Sequence, residues 1–191
     1  MKQKNDSREK ILIAAAELFQ TKGFNATGLN EILKESGSPK GSLYYYFPKG
    51  KEELALEAIK LSTHNIKGNL KKDMLEYKNP IKAVQAVVNH IIEDLKRDGK
   101  PKDISLSLLS LETYSSSEVL KEACRTSFIE LQQIYSNKLT QNGISEEDAA
   151  FLSMTILTLL EGSITVSLTQ KNQEALFNLN KQIDLLLSPY L

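Results

Sequence analysis

Apolar residues recur along this chain at three- and four-residue intervals, and no stretch shows the sustained alternation of a strand, so the pattern reads as helices from end to end. After a short polar arm, Met1 to Asn5, either Asp6 or Ser7 can cap a helix from about Arg8 to Lys22. Its apolar face is Ile11, Leu12, Ala15, Leu18 and Phe19, and Gly23 stops it. Two short helical patterns follow between Thr27 and Pro48. From Lys51 a long one runs towards Tyr77, using Leu54, Leu56, Ala58, Ile59 and Leu61, until Lys78-Asn79-Pro80 breaks it. Ile81 to about Lys96 is next, then a loop at Arg97–Pro101, then Ile104 to Tyr114 and Glu118 to about Asn142. The brief alternation between Ser105 and Leu111 is equally compatible with helix. Ser145-Glu146-Glu147-Asp148 is an acidic, capped start for a helix over Ala149–Thr169. Gln173 to Leu187 closes the series before Pro189. The fold class is all-α.

The short pair of helices carries the clearest chemistry. In the first, Thr27 is placed to act as N-cap, Glu31 lies in the first turn, and Leu29, Ile32 and Leu33 form the apolar face. Gly37 is free to take the positive φ of a sharp exit. The second begins at Ser38 with Pro39 in its first turn, runs through the i,i+4 pair Leu43 and Phe47, and ends at Pro48. Two helices joined by a short Gly turn describe a helix-turn-helix, and packing of the first helix on them makes a three-helix head. The outer side of the second helix holds Lys40, Tyr44 and Tyr45, a donor-rich aromatic surface suited to DNA.

Each residue there has a chemical reason. Thr27, followed by Gly28 at a helix N-terminus, can offer hydroxyl and backbone donors to phosphate. Ser38 and Pro39 open the second helix, whose first turn would enter the major groove. Lys40 can reach phosphate or the O6/N7 edge of guanine, Gly41 permits close approach to the duplex, and Ser42 is a short polar contact. Tyr44 and Tyr46 can donate to phosphates, and Tyr45 can meet sugar, base or thymine methyl. Three adjacent tyrosines cannot all point outward, and Tyr46, three residues after Leu43, is the one expected to be partly buried. Lys51 reads either as a phosphate contact or as an ordinary solvated helix-start lysine.

The stretch SGSPKGSLYYYFPKGKEEL resembles the recognition-helix signature of TetR-type transcriptional repressors. Its Pro-Lys-Gly-Ser form, with an extra residue before Lys51-Glu52-Glu53-Leu54, is most similar to the LmrA/YxaF-like subgroup. The motif covers roughly the first third of the chain; beyond it only length and helical layout agree. The resemblance implies a DNA-binding head over residues 1–50 and an effector-binding and dimerisation body over 51–191, with 51–77 as connecting helix. It places a phosphate-contacting lysine at Lys51. It also implies a homodimer on a palindromic double-stranded DNA operator, released by a small hydrophobic or aromatic effector. The subgroup points to planar or drug-like compounds and to efflux or detoxification genes.

Charge supports a division of labour. The chain is neutral overall, but residues 1–72 hold 13 Lys and Arg against 8 Asp and Glu, while residues 73–191 hold 11 against 16. A basic head on an acidic body suits phosphate binding at one end. Cys124, the single cysteine, excludes an intramolecular disulfide and fits a reducing cytoplasm. No leader pattern opens the chain. Its longest apolar run, Ala149–Leu168, is interrupted by hydroxyls and by Glu161, and so reads as a buried helix rather than a membrane span.

Two body functions are nominated by the residues. The last two helices are apolar nearly all round, and a helix of that kind must be covered on every side. A second copy would cover what the chain itself does not, through Phe151, Met154, Leu157, Leu160, Ile164, Leu176, Phe177 and Ile183. Thr158, Gly162 and Ser163 permit close approach, and the last two helices of the family form a four-helix interface of this kind. For the effector, the polar or aromatic residues within apolar surroundings are His90, Tyr114, Cys124, Phe128, Tyr135 and Glu161. His90 reads first as an ordinary core or surface histidine, Cys124 as a small apolar residue, and Phe128 and Tyr135 as core-facing. Glu161 needs a partner, be it a cation, a hydroxyl, another subunit or a ligand.

Enzyme classes find no support. His64 and His90 lack paired-ligand spacing, so no metal site is expected; no phosphate-binding loop, dinucleotide fingerprint or nucleophile elbow occurs, and no cofactor is expected. The competing reading is a protein–protein adaptor with a helix-turn-helix-like head.

Overall fold

The computed structural model describes residues 2–103 and 105–191. Among the described residues the chain forms nine α-helices and no strand: α1 (Lys2–Lys22), α2 (Leu29–Ser36), α3 (Lys40–Tyr46), α4 (Lys51–Glu76), α5 (Pro80–Asp98), α6 (Leu106–Thr113), α7 (Glu118–Thr140), α8 (Glu146–Gln170) and α9 (Glu174–Leu187). A 3-10 turn over Ser188–Tyr190 follows. The all-α expectation holds.

Most helix ends are set by local chemistry. Asn79 accepts from the Lys82 amide at 3.1 Å, with Pro80 just inside α5. Ser105 accepts from Leu108 N at 3.2 Å and Ser145 from Asp148 N at 3.1 Å, so α6 and α8 each start on a serine cap. Gly37 sits at φ 61° beyond α2, and the Ser38 amide returns to Leu33 O at 3.2 Å, a left-handed exit that turns the chain towards α3. The N-terminus departs from expectation: α1 is already helical at Lys2, so the polar stretch Lys2–Asn5 continues the helix and Ser7 is not its cap. Met1 of the expected arm and Ile104, the expected start of the sixth helix, lie outside the described residues.

The helices group into two compact units, Met1–His64 with Asp103–Ser127, and Asn65–Lys102 with Phe128–Leu191. In the first, α1 packs against α2 and α3. Ile11, Ala15 and Phe19 of α1, Ile32 of α2, and Leu43 and Phe47 of the α3 segment are sealed from solvent, whereas Leu29 and Leu33 are only half-buried. The first half of α4 adds Leu54, Ala55, Ala58 and Ile59 to this core, which is why compactness carries past residue 50. Arg8 pairs with Glu57 at 2.8 Å and lays its guanidinium 5.3 Å from the centre of the Phe47 ring, joining α1, α3 and α4. Thr63 and Ser127 hydroxyls meet at 2.7 Å.

In the second unit α9 packs on α8 and α5. Leu176, Leu179, Ile183 and Leu187 of α9 are buried with Ala149, Leu152 and Ile156 of α8, and with Ala83, Val84 and Val88 of α5. A polar seam accompanies the apolar one, with Gln85 Nε2 donating to Asn180 O at 2.9 Å and Asn180 Nδ2 to Asn89 Oδ1 at 2.6 Å. Lys138 of α7 is buried, and its ammonium donates to Met74 O at 2.7 Å and Tyr77 O at 2.5 Å. It thereby satisfies carbonyls that the end of α4 leaves without helical partners, at the negative pole of the helix. Burial pulls Lys138 below the ordinary lysine range, so the two carbonyls are what keep its charge tolerable.

Replacing Lys138 with Met keeps the packing volume and removes both charged donors. Chemical denaturation should show a loss of about 1–3 kcal/mol, with the helical circular-dichroism signal of the native protein unchanged; an unshifted midpoint would show that the two carbonyls are satisfied without it.

Candidate nucleic-acid interface

The second helix of the helix-turn-helix is oriented by what it buries. Leu43 and Phe47, one turn apart, are fully enclosed, and the Phe47 amide donates to Leu43 O at 2.7 Å. Helical geometry then sends the other positions outward. Tyr44 is 47% and Tyr45 67% exposed, and Lys40 and Gly41 also face solvent. Ser42 and Tyr46 are half-buried, and Tyr46 meets Tyr45 edge to face at 4.8 Å, which fits the expectation that one tyrosine would turn in. Pro39, exposed and extended at φ −65°, precedes α3, and its carbonyl takes the Ser42 amide at 2.9 Å. Ser38 is half-buried, with its hydroxyl 3.4 Å from Ser36 O. A Cβ at Gly41 would meet nothing within 4 Å, so the first turn of α3 is open to a close-approaching surface.

One expected role changes. Thr27 is not the cap of α2: Gly28 holds that position with no side-chain cap, and the Thr27 hydroxyl, buried, donates to Gly23 O at 2.7 Å. The carbonyl left over at the end of α1 competes for the hydroxyl and wins, since Gly23 at φ 85° turns it towards Thr27. Gly28 is exposed with open space around it. Lys51 is half-buried. Its ammonium donates to Asn25 O at 3.3 Å and lies 4.4 Å from the centre of the Phe24 ring. Burial lowers its pKa from the ordinary lysine value, and the Glu112 carboxylate pushes it back up. Glu112 itself accepts the Phe24 amide at 2.5 Å. Its separation of 88 residues from Phe24 leaves no local signal by which sequence could have found it.

In the second unit a polar cluster converges from four helices. Asp73 of α4 is buried and lies 3.1 Å from His90 Nδ1 of α5, whose ring is exposed. Tyr135 of α7 is buried; burial raises its phenol well above the ordinary tyrosine range, and the carboxylates of Glu161 on α8 and of Asp73 raise it further. Phe128, also in this unit, is half-buried. Tyr114 and Cys124 belong to the first unit: Tyr114 is exposed at the end of α6, and Cys124 is core, its thiol pushed up to about 11 by burial. Asp73 was missed by the sequence reading, yet it occupies the inward stripe marked by Leu70 and Met74.

By length and composition α8 could cross a membrane; in the structure one of its faces packs within the chain and the other is exposed. Leu152, Ile156, Leu157 and Leu160 are buried within the chain, as are Leu176 and Ile183 of α9, so these predicted partner contacts are spent on the protomer's own core. Phe151 at 64%, Met154 at 51% and Phe177 at 44% exposure lie on the outer face with Val166, and Ile164 is half-buried.

Residues 11–58 match the family described as bacterial regulatory proteins, tetR family, and residues 80–182 match the transcriptional regulator LmrA/YxaF-like C-terminal domain. The chain is 40% identical over 186 residues to the uncharacterized HTH-type transcriptional regulator YxaF of Bacillus subtilis, covering 97% of each chain. It is 41% identical over 178 residues to the HTH-type transcriptional regulator LmrA of the same organism, covering 93% of this chain and 95% of that one. Among solved structures, a TetR transcriptional regulator from Chloroflexus aurantiacus superposes with a TM-score of 0.85 at 21% identity, over 98% of this chain and 97% of that one. This chain belongs to the TetR family of transcriptional regulators, in its LmrA/YxaF-like branch, and its role is DNA-binding regulation rather than catalysis.

Proposed function

We propose that this TetR-family regulator is a ligand-responsive repressor that binds a palindromic operator as a homodimer in the cytoplasm. The observation that carries the reading is the outer face of α3, where Lys40, Gly41, Tyr44 and Tyr45 are exposed to solvent while Leu43 and Phe47 anchor the helix from behind. Residues 1–50 act as the reading head and 51–191 as the regulatory body. Lys40 contacts phosphate or a guanine edge, Gly41 lets the backbone approach, Ser42 and Tyr44 contact the phosphate backbone, and Tyr45 reaches sugar or base. Pro39 and the Gly28 amide end of α2 border the duplex. Ser38, Thr27 and Lys51 serve the interface by holding its shape, since their polar groups have intramolecular neighbours, and Tyr46 does so through its ring contact with Tyr45.

A second copy covers the outer face of α8 and α9. Phe151, Met154, Val166 and Phe177 give it an apolar character that a lone chain would expose to water, and Thr158 and Gly162 between them keep the backbone accessible. The effector is a small hydrophobic or aromatic molecule met by Asp73, His90, Tyr135 and Glu161, with carboxylates that favour hydrogen-bond donors or positive charge on it. The regulated genes serve efflux or detoxification of such molecules.

A gel shift with the duplex upstream of the protein's own gene tests the repressor reading. A discrete complex resistant to nonspecific competitor is expected, weakening steeply with salt, and Lys40→Ala should reduce the magnitude of the log–log salt slope by about one. An unchanged slope would remove Lys40 from the phosphate contacts. Dimerisation has a separate test: Phe151→Glu lies outside the protomer core, so a folded monomer is expected in light scattering. A folded dimer would place the interface elsewhere.

A further inference from the structure

The turn between α1 and α2 is where the chain enters the helix-turn-helix, and little apolar packing defines it: Phe24 is half-buried and Asn25 is exposed. Hydrogen bonds fix it instead. Phe24 N donates to Glu112 Oε2 at 2.5 Å, and Asn25 Nδ2 reaches the Glu112 carbonyl at 3.5 Å, the outer edge of hydrogen-bond range. Gly23, at φ 85°, lies so close that a Cβ there would stand 2.5 Å from Glu112 Oε1. On the α4 side, Lys51 holds Asn25 O at 3.3 Å and covers the Phe24 ring. Thr27 closes the turn on Gly23 O, and the Phe24 ring sits 5.6 Å from that of Phe19. A carboxylate from α6 and an ammonium from α4 thus bracket three consecutive residues.

We propose that Glu112 is a positioning residue for operator binding. Acting through the Phe24 amide, its carboxylate sets the entry of the chain into α2, and with Lys51 it holds the turn in the form that presents α3 correctly. This rests on the operator-binding reading above. Glu112 touches no DNA in this account; it acts through backbone, and a binding surface tolerates only about 0.5 Å of looseness in its supports. The core beneath, with Phe19, Ile32, Leu43 and Phe47 enclosed, does not need the bond to persist.

Two substitutions in the full chain separate reach from charge. Glu112→Gln keeps an acceptor at the Phe24 amide without the charge, and Glu112→Asp keeps the charge but withdraws the oxygens by one methylene. With the operator duplex and fluorescence anisotropy at a temperature well below the unfolding midpoint, the Gln variant should bind within about twofold of the parent. The Asp variant should bind about tenfold more weakly, with an unchanged salt slope because no phosphate contact is lost. A merely structural role would lower the unfolding midpoint and leave affinity at low temperature intact. Parent-like binding by the Asp variant, an equal loss in the Gln variant, or failure of the Asp variant to fold would each overturn the proposal. Absence of a parent complex would instead contradict the operator reading itself.

Discussion

A helix of seven residues is far shorter than the ~12–15 that isolated helices need to persist in water. α3 exists because Leu43 and Phe47 are locked into the core made by α1, α2 and α4, and because Arg8 covers the Phe47 ring while paired with Glu57. The same anchor decides what the helix offers to the outside. With two positions one turn apart fixed inward, the opposite face has to carry Lys40, Gly41, Tyr44 and Tyr45. Folding and presentation of the reading surface are one event, and loss of either apolar anchor would cost both.

The elements that sequence made legible are those whose signals are local. Apolar period marks each of the nine helices among the described residues, and Asn79, Ser145 and Gly37 mark helix ends as capping chemistry predicts. Thr27 shows where local reasoning fails. Its hydroxyl had two possible partners within a few residues, an amide of α2 or the carbonyl of Gly23, and only the left-handed turn at Gly23 decides between them. The surroundings of Lys51 are not legible for a different reason: the ring and carbonyl beside it belong to residues 26 or so positions earlier, and Glu112 comes from much further along. Tertiary partners of this kind leave no periodicity to read. At α1 the difference is one of extent, since a polar segment continues a helix that apolar spacing began only at Arg8.

In the body, a helix that is apolar nearly all round resolves into two faces. Leu152, Ile156 and Leu160 on one side of α8 pack within the chain, and Phe151, Met154 and Val166 remain outside. The inner face explains why Leu157, Leu160, Leu176 and Ile183 are unavailable to a partner, and the outer one narrows the proposed interface to fewer, larger side chains. The buried Asp73 and the half-buried Glu161, both acting on the phenol of the buried Tyr135, stand out among apolar neighbours.

The most direct test is selection from random duplexes with the full-length protein at physiological salt, followed by sequencing of the bound pool. A head presented in duplicate by a symmetric dimer predicts enrichment of an inverted repeat, with half-site centres about 34–36 Å apart along the helix axis or slightly more. Enrichment of a single half-site would contradict the dimer, and a pool without enrichment would contradict a sequence-reading surface on α3.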